Sequence, residues 1–170
     1  MRSRNVIIWT MFSALLIGGL QAVAQADTPE RITEAFGDQL VNAAGEPVSP
    51  ATLEGKKIGL YFSAEWCPPC RMFTPRLVEA HKTLREAGKP FEVIFISHDR
   101  SAEAMLQYMQ GYDMAWPAIA FEAAKRDALK QQHGIRGIPT LIIVDDSGRV
   151  LSRDGRNEVM AHGADAFSRW

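Results

Sequence analysis

Cysteine is scarce in this sequence: its 170 residues contain two, Cys67 and Cys70. Two cysteines cannot build the framework of several disulfides that stabilises small secreted proteins. An excess of one charge is also lacking, because 19 Lys and Arg residues stand against 20 Asp and Glu residues. The basic residues occur singly or in pairs, which is typical of solvated surface and predicts no nucleic-acid partner. With 46% hydrophobic residues, the chain is expected to fold around a hydrophobic core.

One apolar run stands out at residues 6–20, where it follows Arg2 and Arg4. The sequence Ala-Gln-Ala at residues 24–26 then matches the small-x-small pattern at which signal peptidase cleaves. We therefore expect residues 1–26 to be a cleaved signal peptide, and the mature protein to be periplasmic or secreted with no membrane attachment. The alternative is a retained membrane anchor, although the run is shorter than the roughly 20 residues that span a bilayer.

Both cysteines belong to one motif, Trp66-Cys67-Pro68-Pro69-Cys70, which follows an apolar strand-like stretch and precedes a helix-like stretch. A C-x-x-C pair in the first turn of a helix can close a disulfide without moving the backbone. Cys67 would lie near the helix N-terminus, where free backbone N–H groups and the helix dipole favour a thiolate. Cys67 is therefore predicted to attack a substrate disulfide, and Cys70 to resolve the mixed disulfide that forms.

The two prolines of the motif are predicted to tune its reactivity. Proline is accepted at the first helical positions because its missing N–H would be unpaired there. Since neither Pro68 nor Pro69 can donate, the N–H of Cys70 is the nearest main-chain donor left for the sulfur of Cys67. The dipeptide is therefore expected to influence the acidity and the reduction potential of the pair, in a direction that the sequence leaves open.

Two other interpretations of the cysteine pair stay open, a purely structural disulfide and one half of a zinc site. A zinc site usually has four ligands. The histidines are scattered, at His81, His98, His133 and His162, and no second paired cluster accompanies the motif. We expect neither a metal nor an organic cofactor.

Strand-like and helix-like patterns alternate along the chain after residue 40, whereas residues 27–39 are expected to be a polar N-terminal extension. We therefore predict one domain, residues 40–170, of the α/β class with parallel strands in the centre of its sheet. The predicted strands cover residues 58–63, 91–97, 141–144 and 149–152, and the predicted helices follow the cysteine motif and cover residues 101–110, 122–133 and 164–170.

Several blocks of sequence carry a resemblance to a known family. The first contains the cysteine motif, and the blocks cover residues 61–71, 73–75, 91–97, 114–117 and 137–141. They resemble the thioredoxin superfamily, and within it the tryparedoxin and nucleoredoxin branch, over roughly residues 40–152. The resemblance implies a thioredoxin fold, in which a central mixed β-sheet is flanked by helices.

The resemblance also implies roles for individual residues. Cys67 and Cys70 match the family's redox pair, Trp66 its active-site tryptophan and Pro139 its cis-proline. A cis X-Pro bond is a minority conformer that persists only where the structure imposes it. In this family it presents the backbone of the preceding residue, here Ile138, to an extended substrate. Trp66, Ile138 and Pro139 are therefore expected to bind substrate.

The chain departs from many thioredoxins at the position of a buried acid on the strand before the motif. Where those proteins carry an Asp as proton acceptor for the resolving cysteine, this sequence has Tyr61, as in the tryparedoxin-like branch. Glu65 falls in the loop and is expected to be solvated. The resemblance therefore assigns no proton acceptor to Cys70.

Two further pairs of residues are candidates for the site. His98-Asp99 follows a strand end, where active-site residues often collect, but we expect a polar turn that opens the next helix. Trp116-Pro117 either lines a substrate groove or packs on the sheet, and we expect packing.

The sequence thus predicts an exported thiol–disulfide oxidoreductase, with reduction of protein disulfides as the favoured direction. Its expected partners are protein thiols and disulfides and a redox partner that the sequence does not name, and we expect a monomer. Oxidation and isomerisation use the same motif, because reduction potential and partner set the direction. Two other classes stay open: a non-catalytic peptide-binding module of the same fold, and a thiol peroxidase.

Overall fold

The computed structural model describes residues 28–170, in which helices cover both faces of a seven-stranded mixed sheet. The predicted signal segment, residues 1–26, lies outside the described residues. Within the described part, no helix combines the length and the apolar character needed to cross a bilayer. The strands are β1 Leu40–Val41, β2 Pro47–Val48, β3 Lys57–Ser63, β4 Phe91–Ser97, β5 Ala118–Ile119, β6 Thr140–Val144 and β7 Val150–Ser152; the helices are α1 Thr28–Phe36, α2 Pro68–Glu86, α3 Ala102–Gly111, α4 Ala124–Gln132 and α5 Gly155–His162, with 3-10 turns at Pro50–Leu53 and Gly163–Arg169.

The centre of the sheet consists of β3 and β4, which pair in parallel over their full length. Strand β6 pairs antiparallel with β3, and the strand order is β2-β1-β5-β4-β3-β6-β7. The two central strands are almost continuously apolar because both of their faces are covered. Their carboxyl ends lie side by side, which brings the cysteine motif after β3 next to the His98-Asp99 turn after β4. The predicted mixed α/β class is confirmed.

Helix α2 carries the cysteine motif at its start and lays one face on the sheet. Its buried side chains include Phe73, Leu77 and Leu84, which recur at helical spacing. They join one core with aromatic residues of the central strands, among them Tyr61 and Phe95. A second core on the opposite face of the sheet contains residues of α1 and α4. The motif is therefore fixed on a helix that packs along its length.

Helix α1 differs from the predicted organisation. The sequence predicts a polar extension over residues 27–39, whereas α1 buries Ile32 and Phe36 in the second core. These two residues are four positions apart and share one face of the helix, while Glu30 and Glu34 are exposed. The segment is polar on average, yet one face of its helix is buried. The predicted domain boundary at residue 40 therefore leaves out α1, whose side chains belong to the core.

The shortest elements are absent from the sequence-based prediction. Strands β1, β2 and β5 have two residues each, too few to show an alternating pattern. Helix α5 begins at Gly155, where an added Cβ would lie 3.0 Å from the carbonyl oxygen of Leu141. Close packing on β6 therefore accounts for the glycine, and because glycine is a poor helix former, the sequence does not indicate a helix here. Ser101 caps α3, since the N–H of Ala104 donates to its Oγ at 3.1 Å.

Candidate redox site

Cys67 and Cys70 are joined by a disulfide at the start of α2. Cys67 immediately precedes the helix and has an extended backbone, with φ −94° and ψ 109°, while Pro68 and Pro69 occupy the first helical positions. The Cα atoms of the two cysteines are 5.2 Å apart, within the range that disulfides span. The predicted strand, turn and helix around the motif are therefore present.

The two sulfur-bearing residues differ in accessibility. Cys67 retains 4% of its surface, whereas Cys70 is completely buried. Ala64 packs with both of them, and Ile138 covers them from the opposite side. A substrate that approaches the disulfide therefore meets Cys67 first.

The main-chain donors at the start of α2 are directed at an oxygen and not at a sulfur. The N–H groups of Cys70 and Arg71 donate to the carbonyl oxygen of Cys67 at 3.0 and 3.1 Å. Within residues 28–170, the Cys67 side chain makes no capping hydrogen bond to the helix. The prediction that the Cys70 N–H serves the Cys67 sulfur is thus wrong for the disulfide form, because the carbonyl that precedes a helix accepts its first hydrogen bonds.

The loop before β6 lies opposite the motif. Its Ile138–Pro139 peptide bond is cis, as the sequence predicts. The carbonyl oxygen of Ile138 lies 3.7 Å from Sγ of Cys67. The structure therefore brings Cys67, Cys70, Ile138 and Pro139 together at one site.

Trp66 is the exposed aromatic residue of the site. Its residue surface is 49% exposed, and its indole Nε1–H donates to the carbonyl oxygen of His98 at 3.0 Å. The ring is therefore tethered by its polar end while its apolar face stays accessible. This arrangement is typical of an aromatic contact surface for a partner.

Asp99 anchors the loop that precedes Cys67. Its Oδ1 accepts the backbone N–H of Glu65 at 2.8 Å, and its Oδ2 accepts the hydroxyl of Ser97 at 2.8 Å. Burial raises the pKa of the Asp99 carboxyl, although the hydrogen bonds from Glu65 and Ser97 act in the opposite direction. The His98-Asp99 turn is therefore more than the opening of α3, because it holds both Trp66 and the backbone of Glu65.

A group of four buried hydroxyls, which we term the hydroxyl cluster, lies beneath Cys70. It consists of Tyr61, Ser63, Thr74 and Tyr108. Thr74 Oγ1 donates to the carbonyl oxygen of Cys70 at 2.9 Å and lies 2.7 Å from the Tyr61 hydroxyl and 2.5 Å from the Tyr108 hydroxyl. The Tyr108 hydroxyl in turn lies 3.2 Å from Ser63 Oγ.

Burial keeps the tyrosines of the hydroxyl cluster neutral. It raises the pKa of Tyr61 far above the ordinary value of a phenol and raises the pKa of Tyr108 as well. Tyr61 therefore occupies the place of the usual acid without supplying a base. Thr74 and Tyr108 were not apparent as site residues from the sequence, although the four-residue step from Cys70 to Thr74 marks a neighbour on the same helix face.

Comparison with known proteins decides the family. A family model described as thioredoxin-like matches residues 55–150, which is more than half of the chain and includes both cysteines. The chain belongs to the thioredoxin-like family. It is a thioredoxin-like redox protein with a Cys67–Cys70 pair.

Individual relatives place this thioredoxin-like chain in the tryparedoxin and nucleoredoxin branch. Nucleoredoxin from Homo sapiens is 44% identical over 133 residues, which cover 78% of this chain and 30% of that protein. A probable nucleoredoxin 1 from Arabidopsis thaliana is 42% identical over 123 residues, covering 72% of this chain and 21% of that protein. The chain thus spans less than a third of the length of these nucleoredoxins.

Solved structures give the same branch. Tryparedoxin II from C. fasciculata is similar with a TM-score of 0.74 at 34% identity, covering 84% of this chain and 95% of that chain. Tryparedoxin from Trypanosoma brucei has a TM-score of 0.71 at 33% identity, covering 81% and 95%. The thioredoxin fold that the sequence predicts is therefore confirmed.

Two other candidates have structural roles in the thioredoxin-like domain. Trp116 is buried in the core, where the ring of His81 contacts it edge to face at 5.2 Å between centroids, so the predicted packing role is confirmed. Glu65 has an exposed side chain that pairs with Arg71 at 3.4 Å, as expected for a solvated loop residue. Among the residues that the structure describes, no three His, Cys, Asp or Glu side chains are grouped as a metal site requires.

Proposed function

We propose that this chain is a thiol–disulfide oxidoreductase that reduces disulfides of proteins outside the cytosol. The observation that carries the proposal is the Cys67–Cys70 disulfide at the start of α2, in which Cys67 is 4% exposed and Cys70 is completely buried. A purely structural disulfide does not require its two cysteines to differ in burial. A thiol–disulfide oxidoreductase does, because one sulfur must contact the substrate while the other is kept away from it until the resolving step.

The proposed cycle begins with the reduced pair. The Cys67 thiolate attacks one sulfur of a substrate disulfide, the substrate S–S bond breaks, and the other substrate sulfur leaves with the electron pair as a thiolate. Cys70 then attacks Cys67, which releases the second substrate thiol and leaves the Cys67–Cys70 disulfide. A separate redox partner restores the dithiol.

The proposed substrate contacts surround Cys67. Trp66 offers an accessible ring that its bond to His98 holds in place, and the Ile138 carbonyl lies beside the Cys67 sulfur. An extended peptide next to Pro139 has main-chain groups that can pair with the backbone of Ile138. Trp66, Ile138 and Pro139 are therefore the proposed substrate-binding residues.

The donors at the start of α2 favour the reducing direction. A strongly oxidising pair is one whose reduced form is stabilised, and hydrogen bonds to the Cys67 thiolate would provide that stabilisation. Here Pro68 and Pro69 have no N–H, and the next two N–H groups are bound to the Cys67 carbonyl. With little stabilisation of the thiolate, the dithiol gives up its electrons readily.

We propose that the protein is exported, which brings it to substrate proteins that carry disulfides. The charged start, the apolar run and the Ala-Gln-Ala sequence at residues 24–26 support cleavage of residues 1–26. The mature protein is then a periplasmic or secreted monomer with no membrane attachment. Fractionation of cells that express the full chain, followed by N-terminal sequencing of the product, tests this part: an intact N-terminus in the membrane fraction would replace secretion by anchoring.

The reduction potential of the pair tests the proposed function. The mature protein is equilibrated with glutathione redox buffers, and the dithiol fraction is measured by thiol alkylation and mass spectrometry. We expect a value near that of thioredoxin, about −270 mV, whereas a value near about −120 mV would make the protein a disulfide donor. A pair that never exchanges with glutathione or with protein disulfides would leave a peptide-binding module.

A further inference from the structure

The hydrogen-bond directions in the hydroxyl cluster are fixed by one acceptor. A carbonyl oxygen can only accept, so the single hydroxyl hydrogen of Thr74 must point to the carbonyl of Cys70. Both tyrosine hydroxyls at hydrogen-bond distance from Thr74 Oγ1 must then donate to it. Thr74 therefore uses one donor and two acceptor sites, which is the full capacity of a hydroxyl.

Thr74 connects three elements of the domain at the backbone of Cys70. Tyr61 belongs to the central strand β3, Tyr108 to helix α3, and Thr74 lies one turn after Cys70 in α2. The first turn of α2 is the part of the helix that holds the resolving cysteine. The hydroxyl cluster therefore fixes that turn against the sheet and α3 through completely buried hydrogen bonds.

We propose that Thr74 is a positioning residue for the resolving step, in which it holds the first turn of α2 so that Cys70 faces the sulfur of Cys67. The inference rests on the proposed exchange function and deepens it. It separates the two steps of the cycle, because Cys67 precedes the helix and is not bonded to the hydroxyl cluster in the part of the chain that the structure describes. Loss of the Thr74 hydroxyl slows resolution and leaves the first attack unchanged.

The hydroxyl cluster does not take the proton of Cys70. In the resolving step the Cys67–substrate S–S bond breaks, the Cys67–Cys70 bond forms, and the substrate sulfur leaves with the electron pair as a thiolate. The Cys70 proton passes to that thiolate or to water. The four hydroxyls of the cluster are neutral and keep their hydrogens, so their part is geometric.

Stopped-flow reaction of the reduced protein with dithiobis(nitrobenzoate) separates the two steps. The first equivalent of coloured thiolate reports attack by Cys67, and the second reports resolution by Cys70. We expect Thr74→Val to slow the second phase by about tenfold, the effect of misplacing one hydrogen-bonded group, with the first phase at the wild-type rate. Thr74→Ser restores the hydroxyl and the second phase. Thr83→Val, the same change at an exposed site of α2, serves as the matched control.

Several outcomes overturn the inference. It is overturned if Thr74→Val has the same second phase as Thr83→Val, if Thr74→Val slows both phases equally, or if Thr74→Ser is as slow as Thr74→Val. If Thr74→Val does not fold, Tyr108→Phe removes one donor to Thr74 and must itself slow the second phase selectively. A wild-type protein that releases no second equivalent would contradict the proposed exchange function instead, and the positioning role with it.

Discussion

Cys67 and Cys70 are three positions apart, yet different kinds of groups hold the backbone around each of them. Before Cys67, the loop is anchored by the Asp99 carboxylate and the main chain of His98. After Cys70, the helix is anchored by buried hydroxyls that surround Thr74. One side contains a charged carboxylate and the exposed Trp66 ring, and the other contains buried neutral groups.

This difference matches what the two sulfurs must do. In the proposed cycle the side of Cys67 admits a substrate, and there the tether of the Trp66 indole leaves its ring exposed. The resolving side meets no substrate and needs only a fixed distance to Cys67, for which buried hydrogen bonds between neutral groups are suited. If this division is correct, changes on the two sides affect different steps of the reaction.

Replacement of each cysteine by serine gives the largest contrast. Cys67→Ser removes the accessible sulfur, so we expect no attack on a disulfide and no turnover. Cys70→Ser retains the attack but cannot resolve it, so a mixed disulfide accumulates on Cys67. Mass spectrometry after addition of a protein disulfide distinguishes the two variants. Adducts on Cys67→Ser, with none on Cys70→Ser, would reverse the assignment.

Removal of the Thr74 hydroxyl is expected to give the largest loss of stability. Thr74→Val leaves two buried tyrosine hydroxyls without their acceptor and the Cys70 carbonyl without its donor from Thr74. Since a buried unsatisfied polar group costs about 1–3 kcal/mol, we expect the free energy of unfolding to fall by about 3 kcal/mol. Urea denaturation measures it, with Thr83→Val within about 0.5 kcal/mol of wild type. Equal stability of Thr74→Val and Thr83→Val would contradict the buried hydrogen bonds assigned to Thr74.

Asp99 provides the corresponding test on the attacking side. Asp99→Ala leaves the Glu65 N–H without its acceptor, and we expect the free energy of unfolding to fall by about 1–2 kcal/mol. The attack on a protein disulfide slows because the loop that carries Trp66 is loosened, while resolution by Cys70 keeps its rate. Asp99→Asn retains an acceptor oxygen and is the matched control. A slower second phase in Asp99→Ala would show that the two sides are coupled.

The difference in stability between wild type and Asp99→Asn is expected to depend on pH. Burial raises the pKa of Asp99 above its ordinary value of 3.8, so the folded state holds the proton to a higher pH than the unfolded chain does. The stabilising effect of the protonated form is complete below 3.8 and is lost as pH rises through the folded pKa. We expect wild type to lose stability relative to Asp99→Asn as pH rises from 3.8 through the folded pKa, as urea denaturation at each pH measures. A constant difference would contradict the raised pKa.

The cysteine pair, the cis-proline and strand β4 could all be predicted from the sequence. The motif combines chemistry with local geometry over a few residues, and β4 is a continuous apolar run that matches the predicted residues 91–97. Such features depend on neighbours in the chain. Sequence patterns record them directly.

The contacts that hold the backbone beside the two cysteines could not be predicted from the sequence in the same way. Asp99 and Glu65 are 34 positions apart, as are Thr74 and Tyr108, and each contact depends on how whole elements pack. The parallel pairing of β3 and β4 supplies the first contact, and the packing of α2 and α3 into one core supplies the second. Prediction of the strands alone would have placed Asp99 near the motif, since the carboxyl ends of parallel neighbours adjoin. No local pattern marks Tyr108.

The smallest effect is expected at the ion pair between Glu65 and Arg71. Both side chains are about half exposed and their charged atoms are 3.4 Å apart, so solvent screens the pair and it contributes at most about 1 kcal/mol. The loop depends instead on the backbone N–H of Glu65, which Glu65→Gln leaves intact. Glu65→Gln should therefore keep both kinetic phases and change the free energy of unfolding by less than about 0.5 kcal/mol. If Glu65→Gln slowed the attack as much as Asp99→Ala does, the exposed charges, and not the buried carboxylate, would be what holds the attacking side.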